Sequence, residues 1–382
     1  MKILMAIDYY RPHVSGLTLY AEHLAEGLAG RGHSVRVLTH RHLPGLPIET
    51  EENGVGVVRA PVAARIGKAL VAPAILADAL AEIPNADVLH LHAPLVNAIL
   101  LAGLAATLRV PIVVTFHCDL HTGPAARERL VEAISRASQD FALDRATRIV
   151  TYTEDYARHT RPLASRIEKV GWVRPPVPDP PATGRTEAEA RERFGVRGGP
   201  VLLFLGRFAE EKGLPVLVDA FATVRRRYPG AVLLMAGARD VPGETVLEQL
   251  EPLLKDPASG LVAPGIVPPD EIGDLFTLAD VLVLPSINAT ESFGLVQVEA
   301  MLRGVPSVAS DLPGVRQPVL LTGMGEIAPI GDPRGLAGAI LRVLDDPGRY
   351  RRPREEIRAL FSADDTLAFY EATYASALRG GE

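Results

Sequence analysis

The stretch ADVLVLPSINATESFGLVQVEAMLRGVPSVAS, residues 279–310, decides the reading of this chain. Val281–Leu284 is an apolar run closed by Pro285, the mark of a buried strand. A polar loop follows, then a helix that should start near Leu295, then a second strand over Val305–Ala309. Glu291 sits on the loop before the helix, and Glu299 falls on its second turn, eight positions on. A helix N-terminus offers free N–H groups and a positive dipole end to an anion. A carboxylate accepts two hydrogen bonds at once, which suits a neutral polyol. One glutamate can therefore meet the hydroxyls of a sugar, and the other both hydroxyls of a ribose. Glutamates at this spacing are common on ordinary helices. Their setting between ADVLVLPS and MLRGVPSVAS gives them weight.

Upstream, the strands Val201–Leu205, Ala231–Ala236 and Leu261–Val262 continue the same alternation with helices, which predicts a parallel, doubly wound sheet. The loop GRFAEEKG follows the first of them and places Gly206, Arg207 and Lys212 just past its end. Ligands of open α/β sheets bind beyond the carboxyl ends of strands. Two cations there can neutralise a diphosphate, arginine through paired hydrogen bonds. The loop taken alone also fits a solvated charged turn. Neither Ile7 nor Leu205 is followed by G-x-G-x-x-G, and no P-loop pattern occurs, so a dinucleotide-binding reading is weak.

The segment RPPVPDPPATGR, residues 174–185, holds five prolines and reads as a stiff extended hinge. Before it lies another alternating series. Its strands are Ile3–Ile7, Val35–Leu38, Asp87–Leu91, Ile112–Phe116 and Arg148–Tyr152. Its helices carry Leu17, Tyr20, Ala21, Leu24 and Leu28 on one face, then span Val96–Leu108 and Ala126–Leu143. The expected plan is an α/β protein of two Rossmann-like doubly wound domains. They cover 1–173 and 186–363, with the hinge at 174–185 and a last helix, about 364–382, returning to the first domain.

The 382 residues are 47% hydrophobic and 23% charged, a globular composition with ample core. A net charge of −6 argues against nucleic acid as a partner. The single cysteine, Cys118, cannot form an intrachain disulfide, which fits a reducing, cytoplasmic setting. The opening MKILMAIDYY is interrupted by Asp8 too early for a signal peptide. The longest apolar stretch, near Pro94–Leu108, is too short to span a bilayer and reads as a buried helix.

Over almost its full length the chain resembles glycosyltransferase family 4, retaining enzymes of GT-B architecture. PHVSGLTLYAEHLAEGLAGRGHSVRVLT is similar to the family's first loop, helix and second strand. GRFAEEKGLPVLVDAFA is similar to its basic donor loop, and residues 279–310 to its double-glutamate signature. The resemblance implies a nucleotide-diphosphate sugar as donor, with no cofactor and no metal. It gives the diphosphate to Arg207 and Lys212, and the ribose to Glu299. Glu291, with the backbone of Ser292, Phe293, Gly294 and Leu295, would hold the transferred sugar and its phosphate. Gly16 would approach the diphosphate from the first domain, and His117, at a strand end, would face sugar and acceptor. The family's first loop usually carries two adjacent glycines. Here the pair is Ser15 and Gly16, so the local shape of the donor pocket is open. Among motifs, TFHCDL and YTEDYARH resemble enzymes of surface polysaccharide and glycolipid assembly.

His90, His92, His117 and His121, with Cys118 and Asp119, form a cluster in sequence that could suggest a metal, but no H-E-x-x-H or C-x-x-C spacing is present. For the acceptor, a sugar, glycolipid or lipid-linked molecule is expected, with peripheral contact at the inner membrane face. ARIGKALVAPAIL, Ala64–Leu76, reads as an interfacial helix with Arg65 and Lys68 beside aliphatics, and Arg158, His159, Arg161, Arg166 and Lys169 form a second basic run. The same stretch also fits an ordinary helix packed on the sheet. Two other classes stay open at this stage. A sugar-nucleotide epimerase of related shape would convert its donor without an acceptor. A binding component of a polysaccharide assembly would not turn over at all.

Overall fold

The computed structural model describes residues 1–66, 69–119, 126–239 and 245–380. The chain divides into two compact units, Met1–Pro176 with Ser362–Glu382, and Val177–Phe361.

In the first unit the strands are β1 (Lys2–Ala6), β2 (Ser34–Arg41), β3 (Glu49–Glu52), β4 (Val55–Pro61), β5 (Ala64–Ile66), β6 (Ala69–Val71), β7 (Val88–Ala93), β8 (Ile112–Phe116), β9 (Arg148–Thr151) and β10 (Val170–Trp172). Among the described residues the main sheet runs β10-β9-β8-β7-β1-β2-β4-β3. Its pairings are parallel except β3 with β4. Sheets covered by helices on both faces bury both sides of their strands, so β7 and β8 are buried at every position. The helix Gly16–Gly30 begins where Ser15 caps it, its side chain accepting from the Thr18 N–H at 3.2 Å. It buries Tyr20, Ala21, Leu24 and Leu28. The C-terminal helix Ala363–Arg379 packs on this unit and sinks Tyr370 and Tyr374 into it. Tyr370 meets Tyr20 and Thr115, and Tyr374 meets His90.

Two expectations fail here. Residues 64–66 and 69–71 are strands, not helix. β5 pairs antiparallel with β6 in a separate two-stranded ribbon. The helix that follows starts only at Ile75. Arg65 donates to the His42 carbonyl at 3.0 Å, and Lys68 lies outside the described residues. The helix Ala98–Thr107 is also not wholly buried. It covers Leu101, Ala102 and Ala105 but leaves Ile99 and Leu100 open to solvent.

The second unit holds β11 (Val201–Leu205), β12 (Val232–Ala236), β13 (Leu261–Gly265), β14 (Val281–Leu284), β15 (Ser307–Ser310) and β16 (Gly325–Ala328). Their order is β13-β12-β11-β14-β15-β16, and every pairing is parallel. Chain direction across the sheet reverses between β11 and β14, which makes that pair the topological switch point. The proline-rich segment is extended, but much of it is fastened to this unit. Prolines donate no N–H yet their carbonyls still accept. Arg303 bonds the Pro180 carbonyl, and the Gly273 N–H bonds that of Pro181 at 2.7 Å. Buried Asp274 accepts from the Thr183 N–H and hydroxyl and from Arg185. Asp179 takes both Arg354 and Arg358. Residues 179–185 therefore belong to the second unit, within the stretch 174–185 that the sequence reads as a stiff hinge.

Candidate active site: two loops at the switch point of the second unit

The two loops singled out in the sequence leave the two strands of the switch point. Arg207 and Lys212 follow β11, and Glu291 follows β14. A backbone bond joins the loops, from the Ile287 N–H to the Glu211 carbonyl at 2.9 Å. Gly213 makes this approach possible. Its φ is +65°, and a Cβ there would stand 2.2 Å from the Pro285 carbonyl oxygen. No L side chain fits both constraints.

Across this seam Lys212 Nζ and Glu291 Oε2 are 2.5 Å apart, with both side chains largely covered. Arg207 reaches Glu211 at 2.9 Å and stays about half exposed. Each cation is thus held in place by a carboxylate. An arriving diphosphate would compete for these cations with stronger, multiply charged oxygens.

Beyond Glu291 the chain turns through Ser292 and Phe293, both buried, into Gly294 at φ +79°. Gly294 is the N-cap of the helix Leu295–Leu302. The first N–H groups of such a helix lack intrahelical acceptors and point at whatever lies before it. Glu299 stands on this helix without a hydrogen bond or ion pair among the described residues. Protein surrounds its carboxyl although part of the side chain reaches the surface, and burial raises its pKa to about 7. An unpartnered carboxyl held near neutrality will gain from donors such as vicinal hydroxyls.

Gly16 and His117 lie in the first unit. Gly16 is the first residue of its helix, whose Tyr20 ring packs edge-on against His117 at 5.2 Å. His117 follows β8, and its N–H bonds the Ala93 carbonyl at 2.9 Å. Its ring is buried, with Nε2 2.9 Å from His92 Nδ1 and Nδ1 bonded to the Tyr152 hydroxyl. A ring with both nitrogens engaged has none left for a sugar, so the expected sugar-facing role needs the ring to exchange a partner. His90 is likewise taken up, by Thr115 at 2.7 Å and Tyr374 at 2.8 Å. Burial holds His90 and His117 well below the ordinary imidazole range and His92 near 3, so all three are neutral. Among the described residues no three His, Cys, Asp or Glu converge as metal ligands, and His121 lies outside them.

Sequence reading missed Asp8, at the end of β1. The Val96 N–H bonds one of its oxygens at 3.2 Å, while the other is buried without a hydrogen bond, 3.5 Å from His40 Nδ1, and burial raises its pKa to about 7. It also missed Gln297, a fully buried amide in the run LVQVEAML. A polar residue at a core position of an apolar helix was the available signal.

The second basic run is largely neutralised. Arg158 pairs with Glu154, His159 with Asp155, and Arg166 with Asp140 and Asp144. Lys169 bonds the Asp144 carbonyl.

Two doubly wound α/β units, the second with cations and a helix N-terminus at its switch point, define the GT-B class of transferases. Residues 186–360 match the family model described as glycosyl transferases group 1, and residues 15–175 match the glycosyl transferase 4-like domain. The 2-deoxystreptamine glucosyltransferase of Streptomyces kanamyceticus is 33% identical over 85% of this chain and 88% of its own. The phosphatidyl-myo-inositol mannosyltransferase of Mycobacterium leprae is 31% identical over 90% and 87%. Among solved structures, Anabaena HepE in complex with UDP-glucose superposes with a TM-score of 0.78 at 20% identity, covering 98% of this chain and all of that one. The chain belongs to glycosyltransferase family 4, and it is a glycosyltransferase.

Proposed function

We propose that the protein transfers a sugar from a nucleoside-diphosphate donor to an acceptor hydroxyl with retention of anomeric configuration. The observation that carries this reading is the Lys212–Glu291 pair, 2.5 Å apart, set between the two switch-point loops and before the helix at Leu295. Lys212 and Arg207 neutralise the diphosphate, and the N–H groups at Gly294 and Leu295 cap its inner phosphate. Glu291, released from Lys212, turns to the sugar hydroxyls, while Glu299 accepts from the ribose.

Bond cleavage leaves negative charge on the departing diphosphate. Fixed cations and helix N–H groups stabilise that charge without reorganising. No side chain in the cradle is placed as an obvious covalent nucleophile. The reading is therefore a same-face displacement in which the departing phosphate takes the acceptor's proton. Incubation with a panel of sugar nucleotides tests it. Slow donor hydrolysis should appear with the true donor, and proton NMR of the transfer product should show the donor's anomeric configuration. An inverted product overturns the mechanism. Epimerised donor in the absence of acceptor overturns the class of reaction.

A lipid-linked acceptor in glycolipid or polysaccharide synthesis now draws support from the mannosyltransferase relatives, not from residues 64–76. The deoxystreptamine glucosyltransferase relative points instead to a soluble acceptor. No helix among the described residues is long and apolar enough to cross a membrane. Liposome co-sedimentation decides between the two. Binding that rises with anionic lipid and falls with salt supports the lipid-linked acceptor. No binding at low salt, with efficient transfer to a soluble acceptor, removes it.

A further inference from the structure

Gln297 occupies the third position of the helix Leu295–Leu302 and is fully buried. Its amide is spent on three partners. Nε2 donates to the Phe293 carbonyl at 3.1 Å and to the Val315 carbonyl at 2.8 Å. Those two carbonyls only accept, which fixes the amide's orientation, and Oε1 accepts from the Ser307 hydroxyl at 3.1 Å. The side chain thus ties the turn before the helix to β15 and to the loop beyond it.

The consequence follows from peptide geometry. A trans peptide is planar, and its C=O and N–H point in opposite directions. Holding the Phe293 carbonyl inward against Gln297 aims the Gly294 N–H outward, away from the core. Gly294 itself admits this turn because a Cβ there would strike Leu284 at 2.4 Å and Gln297 Nε2 at 2.7 Å. A buried carbonyl deprived of its donor would rotate to find another, and the N–H would rotate with it.

We propose that Gln297 is the positioning residue of the diphosphate-binding turn, a buried amide strut that orients the Gly294 N–H toward the donor's phosphate without touching the donor. The proposal rests on the reading that the diphosphate binds at this helix N-terminus. It separates Gln297 from Glu299, two residues further along the same helix, which serves the nucleoside end of the donor.

The test is calorimetric, with UDP and GDP as probes and each compared with its own nucleoside. The readout is the ratio of nucleoside Kd to nucleoside-diphosphate Kd within one protein. Gln297→Leu should lower that ratio about tenfold and leave nucleoside affinity unchanged, the size expected for a misdirected charge-assisted hydrogen bond. Ser307→Ala, which frees the far end of the amide, should lower it by roughly two- to threefold. Lys212→Ala is the control for the underlying reading and should lower the ratio whatever Gln297 does. If Lys212→Ala lowers it and a folded Gln297→Leu does not, the strut is wrong and the donor site stands. Equal weakening of nucleoside and diphosphate in Gln297→Leu also overturns the strut, since it marks general loosening. Should Gln297→Leu fail to fold, an unchanged ratio in Ser307→Ala overturns it. If wild type shows no preference for diphosphate, or Lys212→Ala leaves the preference intact, the donor-site reading fails and the strut fails with it.

Discussion

The carboxyl ends of the two central sheets solve opposite problems. In the first unit the polar groups on and around β7 and β8 bond mainly to one another, with His92 Nε2 left buried without a hydrogen-bond partner. His117, His92 and Tyr152 form one hydrogen-bonded chain, and Tyr374, His90, Thr115, Tyr370 and Tyr20 form another. All the imidazoles there are neutral because burial disfavours their charge. In the second unit the groups beyond β11 and β14 are ions in provisional pairs, Lys212 with Glu291 and Arg207 with Glu211, and the helix that follows carries Glu299, whose carboxyl makes no hydrogen bond or ion pair among the described residues. A neutral network bonded mainly to itself offers little to a charged ligand. A charged, half-covered one is primed for a diphosphate. On the proposed reading, the anionic part of the donor binds the second unit and neutral hydroxyl chemistry falls to the first.

The largest expected effect tests the charged edge. Lys212→Ala and Arg207→Ala should each reduce transfer ~30–1000-fold, equivalent to about 2–4 kcal/mol in the transition state. The covered Lys212 should stand at the upper end and the half-exposed Arg207 at the lower. Steady-state rates on protein with an intact circular-dichroism spectrum measure this, and near wild-type turnover in Lys212→Ala would refute the assignment.

A second comparison lies within the cradle. Glu299→Ala should weaken nucleoside binding roughly tenfold, whereas Glu291→Ala should slow transfer and leave nucleoside binding unchanged. Two ribose hydroxyls that both donate need an ionised Glu299. Nucleoside affinity should therefore tighten as pH rises through about 7, and Glu299→Ala should flatten that rise. A nucleoside carries no titrating phosphate, so the profile belongs to the protein. Identical nucleoside affinity in both variants would end the ribose role.

The neutral edge makes a prediction about stability. Unfolded histidine binds a proton near pH 6.5, while His92 holds out to about 3 and His90 and His117 lie well below their ordinary value. Their contribution is present above pH 6.5 and is lost as pH falls, by up to ~1.4 kcal/mol per pH unit for each histidine. Glu299 and Asp8 run the other way. Their carboxyls are raised from 4.5 and 3.8 to about 7, so stability declines as pH climbs from the carboxyl range to about 7. His23, His40 and His42 are lowered as well, and Glu22 and Asp78 are raised, so among the described residues six histidines stand against four carboxyls. Urea midpoints should fall on acidification below 6.5, and His92→Leu should make that fall shallower. Midpoints flat from pH 6.5 to 5 would show that the network is hydrated or charged.

The smallest expected effect is none. On the proposed reading, Lys212, Arg207 and the helix N-terminus supply the countercharge that a divalent ion would supply, so transfer should persist in excess chelator. Activity lost with chelator and restored by magnesium or manganese would place a metal in the donor site.

Much of the fold was legible. Ile112–Phe116, Val201–Leu205 and Val281–Leu284 were read with the bounds observed, because an apolar run between turn residues has few other uses in an α/β chain. β3, β10 and β16 escaped because they are short and edge-placed, and ETEE carries no apolar signal. Residues 64–71 escaped for a related reason. Small and aliphatic residues with two cations fit a helix or a ribbon equally, and pairing of β5 with β6 is what decides.

For the site, sequence alone determined which residue types stand at which strand ends. Arg207 and Lys212 after β11, and Glu291 and Glu299 around the helix at Leu295, are consequences of local order along the chain. Local order also sets the alternation that makes the sheets parallel. Tertiary structure decided the pairings. It set Lys212 against Glu291 across 79 positions, His117 against His92 and Tyr152, and Gln297 beneath the turn at Gly294. Whether a buried polar group is satisfied depends on neighbours contributed by distant strands, and only packing brings those within hydrogen-bond reach.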